Sequence, residues 1–305
     1  MGTTPSASSV HPLKGTRIVS LALNLPGPAA LMRCQQMGAR CIKIEPPPHP
    51  TAPAGTPGDA MGLYNRPAYD QLHQGVKVLC ANLKSQEGQA VLHRHLKKAD
   101  ILLTSFRPSA LKKLGLSWKS LHQQYPWLAL VTIVGAPGKR AEEPGHDLTY
   151  QAENDLISGL NLPRTLAADM AGALMTSEAI LQARLHQLRK NRGTRMEVAL
   201  SQAAHFLSMP HWWGLTQPGS ALGGGHAGYK VYPCKDGRVA VAALEAHFAA
   251  DLARLVALPQ AHIMAMFAPD SHARIQSYFA NKTRVELEHI AKENDIPLCT
   301  LPAQA

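Results

Sequence analysis

RIVSLAL (Arg17 to Leu23), the Pro26-Gly27-Pro28 turn and CIKIE (Cys41 to Glu45) decide the fold of this chain. The first run is aliphatic and β-branched and is bounded by Gly15 and the proline turn, so it reads as a buried strand. Pro28 suits the first turn of a helix, which runs through Met37 and closes at Gly38. CIKIE is then a second strand. Strand, helix and strand in so short a span make a βαβ unit, which starts a parallel sheet.

Working outward, Pro46 to Gly58 (PPPHPTAPAGTPG) is an exposed loop, because proline removes backbone donors and fixes φ. A β-like run at Val76 to Leu83, a helix at Ser85 to Lys98, a strand at Ile101 to Phe106, a helix at Ser109 to Leu114 and a strand at Leu128 to Val134 continue the alternation of an open α/β domain. From Ala168 a long helix carries Met170, Leu174, Leu181, Leu185 and Leu188 as one apolar stripe, and its basic carboxyl end suits the helix dipole. Beyond it come a strand at Arg195 to Leu200, a helix to about Met209, a hairpin around Asp236-Gly237, and helices at Phe248 to Leu258 and Arg284 to Asn294. The expected fold class is α/β, with a large open parallel-sheet, Rossmann-like domain and a smaller mixed α+β domain. Residues 1–12 form a disordered tail, 13–200 the large domain with its linker helix, and 201–305 the smaller domain in a chain short at its carboxyl end.

With 305 residues, 45% apolar and 17% charged, the composition is that of a globular protein and excludes fibrous and wholly disordered classes. No run is long and apolar enough to span a bilayer, and the amino terminus lacks the apolar core of a secretory signal, so a cytoplasmic protein off the membrane is expected. The five cysteines are scattered, which suggests neither a disulfide framework nor a zinc ribbon. A formal charge of +10 favours an anionic partner. Nucleic acid is not the expected one, since the basic residues come as separated pairs and aromatics are only 5% of the chain. Fifteen histidines include no pair at helical ligand spacing, so no metal site is expected.

Several residues invite two readings. The first βα turn lacks G-x-G-x-x-G, so the position of Glu45 does not make a nicotinamide site. Gly223 to Gly225 is either a flexible loop beside a ligand or a plain connector. His146, in Pro144-Gly145-His146-Asp147 just past a strand end, sits where α/β sheets present ligands, though a structural turn explains it as well. Asp169 precedes the long apolar stripe and reads locally as an ordinary amino-terminal helix cap. Glu245, at the end of a hairpin strand, is either exposed or buried with a partner.

LKGTRIVSLAL with GP, MGARCIKIEPP, KKADILLTSFRPSALKKLGLSWKSL, YPWLALVTIVGA, PGHDLTYQA, AADMAGALM and YKVYPCKDGRVAVAALEAHF, in that order, resemble the family III CoA transferases and their relatives, the α-methylacyl-CoA racemases, from Leu13 to Leu301. The resemblance implies a large α/β domain assembled from both chain ends, a smaller domain, and two interlocked ring-like subunits in a homodimer. It also implies an acyl-CoA substrate, with coenzyme A part of the thioester and no permanently bound cofactor. In the racemase branch His146 and Asp169 match the two catalytic bases and Glu245 the carboxylate that supports the imidazole. In the transferase branch the position of Asp169 is the nucleophile of an aspartyl intermediate. The histidine of G-H-D and the glutamate of A-L-E favour the racemase branch, with CoA transferase or a non-catalytic CoA-binding homologue as alternatives. Lys43 and Arg107 match positions near the nucleotide phosphates. The chain departs from the family pattern at His73 to Val76, where an Asn/Ser-Arg-Gly-Lys run is usual, and at Glu153 to Asp155.

Overall fold

The computed structural model describes residues 10–303, so the first nine residues of the expected tail lie outside the described residues. The chain divides into two units between Ser208 and Met209.

The first unit alternates strand and helix: β1 (Arg17–Ser20), α1 (Pro26–Gln36), β2 (Arg40–Glu45), α2 (Met61–Tyr64), α3 (Arg66–Leu72), β3 (Lys77–Cys80), α4 (Gln86–Leu96), β4 (Ile101–Thr104), α5 (Pro108–Lys113), α6 (Trp118–Gln124), β5 (Ala129–Val134), α7 (Asp147–Ala152), α8 (Ala167–Lys190) and β6 (Arg195–Ala199), followed by α9 (Leu200–Trp212). All six strands are parallel, in the order β3-β2-β1-β4-β5-β6. β4 and β5 are buried at every residue, as expected of a parallel sheet covered on both faces. Because β1 leads to one side of the sheet and β4 to the other, the strand order reverses between them. Loops leaving the carboxyl ends of β1 and β4 therefore splay apart and open a crevice, the place where open α/β sheets bind ligands.

Within the first unit α8 is as long as its pattern promised, but its burial is inverted. A leucine stripe ordinarily faces the core. Here Met170, Leu174, Leu185 and Leu188 are exposed and only Leu181 of the stripe packs, partly buried, against the core, while Ala168, Ala171, Gly172, Ala173, Ala179, Ile180 and Ala183 are buried. The small residues let the backbone come close to its neighbours: a β-carbon on Gly172 would fall on the Leu200 side chain. Arg33 of α1 donates to Ser177 Oγ at 3.2 Å, tying the two helices together.

In the second unit β7 (Tyr229–Cys234), β8 (Gly237–Ala242) and β9 (Leu298–Pro302) form an antiparallel sheet in that order. With α10 (Ala246–Leu255), α11 (Pro269–Ala280) and α12 (Arg284–Glu293) it encloses a core of Tyr232, Val239, Val241, Leu252, Ile275, Phe279 and Leu287. Two elements here go beyond the sequence reading, α11 and β9. The last described strand joins this small sheet, so the six-stranded sheet draws its strands from residues 17–199 alone and not from both chain ends.

Candidate active site

The crevice at the strand-order reversal is a cavity of about 140 Å³. Leu23 and Asn24 come to it from the end of β1, Ser105 and Arg107 from the end of β4, and Gly135 from the end of β5. The Leu23 N–H donates to Ser105 Oγ at 3.1 Å and holds the first two loops together. Asn24 sits at φ 64°, a left-handed conformation that asparagine tolerates better than most residues. His146, Tyr150 and Asp169 complete the wall.

His146 immediately precedes α7, and its backbone N–H donates to Thr149 Oγ1 at 3.1 Å, which fixes the turn that presents the exposed imidazole. Tyr150 is buried, and its hydroxyl lies where a β-carbon of either Gly135 or Gly145 would fall. Burial, with the nearby Asp169 charge, pushes the Tyr150 phenol up. Asp169 is in the first turn of α8 but does not cap it; Leu166 holds the cap position. Burial first, and then the charge of Asp147, push the Asp169 carboxyl from 3.8 up to about 7. At neutral pH it is therefore balanced between acid and base, which suits proton transfer.

Of the five residues singled out from sequence, His146, Asp169 and Arg107 line this one cavity. Arg107 is exposed and directly precedes α5. Glu245 belongs to the second unit, where it is exposed immediately before α10, which settles the choice its sequence context left open.

Lys43, expected near the nucleotide phosphates, lies outside this cavity's lining. It is fully buried on β2, and its ammonium meets Glu45 Oε1 at 2.9 Å, Asp59 Oδ2, and His73 Nε2 at 3.0 Å. An ammonium has three donors, and all three are engaged. His73 Nδ1 lies 2.6 Å from the Tyr69 carbonyl, so Nδ1 carries the proton and Nε2 accepts from the lysine. Burial and the adjacent ammonium hold the His73 imidazole below its usual value. His73, in the stretch that departs from the family pattern, is thus one of the partners of a buried cation.

The residue that sequence reading passed over is Asp147, the D of G-H-D. It is buried, and its Oδ1 accepts the Asp169 N–H at 2.9 Å. The signal for it in the sequence was a first-turn carboxylate adjoining a candidate base. Among the described residues no cluster of three or more histidine, cysteine or acidic side chains could hold a metal ion, and no helix is long and apolar enough to cross a membrane.

Comparison with known proteins gives the geometry its context. The sequence model of CoA-transferase family III matches residues 13–303. The chain is 28% identical over 296 residues to alpha-methylacyl-CoA racemase of Mus musculus, which covers 90% of this chain and 73% of that one. It is 35% identical over 162 residues to cinnamoyl-CoA:phenyllactate CoA-transferase of Clostridium sporogenes, covering 50% of this chain and 38% of the other. In three dimensions it is similar to a hypothetical protein of Mycobacterium tuberculosis, with a TM-score of 0.80 at 22% identity over 96% of this chain and 84% of that one.

Proposed function

The chain belongs to CoA-transferase family III, whose members act on CoA thioesters, and from that premise we propose that it inverts the C2 centre of a 2-methyl-branched acyl-CoA by proton transfer. The observation that carries this reading is the pairing of His146 and Asp169 in one cavity, with Asp169 retaining its proton up to about pH 7.

A proton α to a thioester is too weakly acidic to leave unaided in neutral water, so the reaction needs a base on one face of the carbon and an acid on the other. The neutral imidazole of His146 takes the C2 proton, and the C2–H electron pair becomes an enolate. The Asp169 carboxyl then delivers its own proton to the opposite face. The site is left with an imidazolium and a carboxylate, the state needed to convert the other enantiomer. For Glu245 the resemblance carries a role in the same proton transfer, and the rate of Glu245→Gln tests it. Arg107, exposed at the cavity wall, is assigned to the CoA phosphates, which guanidinium binds well.

CoA transfer through an Asp169 anhydride is the second reading, motivated by the match to the Clostridium sporogenes transferase. Attack on a thioester requires the ionised carboxylate. Proton transfer needs the same carboxylate in one of its two directions, so dependence on an added acid, and not the Asp169 charge state, separates the two readings. The experiment is incubation of a 2-methylacyl-CoA in deuterium oxide with no carboxylic acid added. Uptake of one deuterium at C2 with loss of optical purity is expected. Turnover only after a free acid is supplied, with CoA moving to it, overturns the reading in favour of transfer.

The resemblance also carries a homodimer. The exposed leucine face of α8 is apolar surface that a second copy would cover, and sedimentation equilibrium checks it: a monomer at micromolar concentration rules it out.

A further inference from the structure

We propose that the Tyr150 hydroxyl donates a hydrogen bond to the thioester oxygen and is a third catalytic group beside His146 and Asp169. The enolate it steadies rests on the proton-transfer reading, but the hydrogen bond to the carbonyl does not, and it can be measured without turnover.

Tyr150 is 6% exposed and belongs to the core cluster that includes Ala168 and Leu200. Its backbone is held on both sides: the N–H donates to the His146 carbonyl at 3.3 Å, and the carbonyl accepts from Asn154 Nδ2 at 2.8 Å. The hydroxyl lies where Gly135 and Gly145 leave out a β-carbon, so it stands between the end of β5 and the turn that carries His146. Gly135, Gly145, His146 and Tyr150 line the same cavity as Asp169. Among the described residues, no group accepts the hydrogen of this hydroxyl. Buried polar groups are nearly always paired, so a phenol left open on a cavity wall is a donor kept for what the cavity binds.

The reaction needs such a donor. When His146 takes the C2 proton, the C2–H electron pair forms the C1–C2 double bond and the carbonyl π pair moves onto the thioester oxygen, which becomes an enolate. A hydrogen bond to that oxygen is stronger in the transition state than to the neutral thioester, so it lowers the barrier. Tyr150 keeps its own proton throughout, and the proton that returns to C2 comes from Asp169. Burial first, and then the Asp169 and Glu153 charges, push the phenol up against the opposing Arg107 and Arg140, so it stays an O–H donor across the neutral range. The other donors on the wall are less suited. Asn24 and Arg107 are exposed, where water competes, and Ser105 uses its Oγ to hold the Leu23 N–H at 3.1 Å. A buried phenol fixed by its core needs no reorganisation as the charge develops.

Tyr150→Phe removes the hydroxyl and keeps the ring. A 2-methylacyl-CoA labelled with carbon-13 at the thioester carbon is bound to wild type and to this variant, and its carbonyl stretch is read by isotope-difference infrared spectroscopy. The stretch is expected at lower frequency in wild type than in Tyr150→Phe, because a hydrogen bond to the oxygen weakens the C=O bond. Deuterium exchange at C2 is expected to slow about 100-fold or more in the variant, with substrate affinity little changed. Should Tyr150→Phe fold poorly, Gly135→Ala displaces the hydroxyl instead and gives the same frequency change. Equal carbonyl frequencies in wild type and a folded variant, or no binding of the thioester to wild type, overturn the proposal. Exchange that is as fast in Tyr150→Phe as in an active wild type overturns it as well. If wild type shows no C2 exchange yet the carbonyl frequency depends on Tyr150, the proton-transfer reading falls and the donor role of Tyr150 stands.

Discussion

The Asn24 N–H donates to Asp59 Oδ1 at 3.0 Å, so a residue of the cavity wall hangs from a carboxylate whose other oxygen meets the buried Lys43 ammonium. Through Asp59 the proline-rich loop closes onto β2, and the buried charges become the footing of the β1 side of the site. Tyr69 adds a hydrogen bond to Glu45 Oε1 at 3.0 Å.

Lys43→Met is therefore expected to destabilise the fold by about 3–5 kcal/mol, because it leaves two buried carboxylates without their cation. Arg107→Ala, at an exposed position, is expected to change stability by less than about 0.5 kcal/mol while weakening CoA binding about 10-fold or more. Urea unfolding and calorimetric titration with CoA separate the two. Equal CoA affinity in Arg107→Ala and wild type removes the phosphate assignment.

The displaced Asp169 carboxyl has a stability signature. Its folded value, about 7, is above its reference of 3.8, so the folded state holds the proton more tightly than the unfolded chain. Stability from this group is full below about pH 4 and is lost as pH rises through 7. Asp169→Asn, which cannot ionise, should be more stable than wild type at pH 8 by on the order of 3–4 kcal/mol, at about 1.4 kcal/mol per unit, and should abolish exchange. Parallel stability curves for the two proteins between pH 4 and 8 would contradict it.

Gly135 and Gly145 leave the space that the Tyr150 hydroxyl occupies. Gly135→Ala should expel that ring from the cavity wall at a cost of about 1–3 kcal/mol from overpacking, with turnover falling more than substrate affinity. Coupling to Tyr150→Phe in a double-mutant cycle measures it; strict additivity of the two changes would show that the contact is immaterial.

At the opposite end of the strands, Gln187 is fully buried and donates at 2.7 Å to the carbonyls of both Asp100 and Trp127. Arg184 adds a bond to Asp100 Oδ1 at 3.1 Å. Gln187→Ala takes the side-chain donor from the Trp127 carbonyl and one of two donors from the Asp100 carbonyl, which keeps the Ala129 N–H at 2.9 Å, and should cost about 1–3 kcal/mol, read as a lower urea midpoint. It should leave the pH dependence of exchange in place, since Gln187 is near the carboxyl end of α8 and does not line the cavity.

How much of this was legible beforehand follows the range of the forces involved. RIVSLAL and CIKIE announce a parallel sheet because strand period, proline placement and the glycine at φ 92° after α1 are local properties of the backbone. G-H-D and the aspartate before a small-residue helix could be picked out for the same reason, as residue types at a spacing. β9 was not recognised, since Pro297 and Pro302 argue against a strand; it is tolerated at the edge of its sheet, paired only with β8. α11 carries few large apolar residues, with Ile275 and Phe279 buried one turn apart on an otherwise polar segment.

By itself the sequence determined the strand and helix alternation of the large sheet, the position of the first βα crevice and the residues able to move a proton. Tertiary structure alone decided that most alanines of α8 face inward while Leu174, Leu185 and Leu188 face outward, that Lys43 spends its charge on Glu45 and Asp59, and that the Asp147 carboxylate accepts the Asp169 N–H. The physical reason is that burial and charge pairing depend on neighbours remote in the chain. Periodicity reports that a helix has two faces, but only packing selects which is covered, and only a buried site turns an ordinary aspartate into a group that holds its proton to about pH 7.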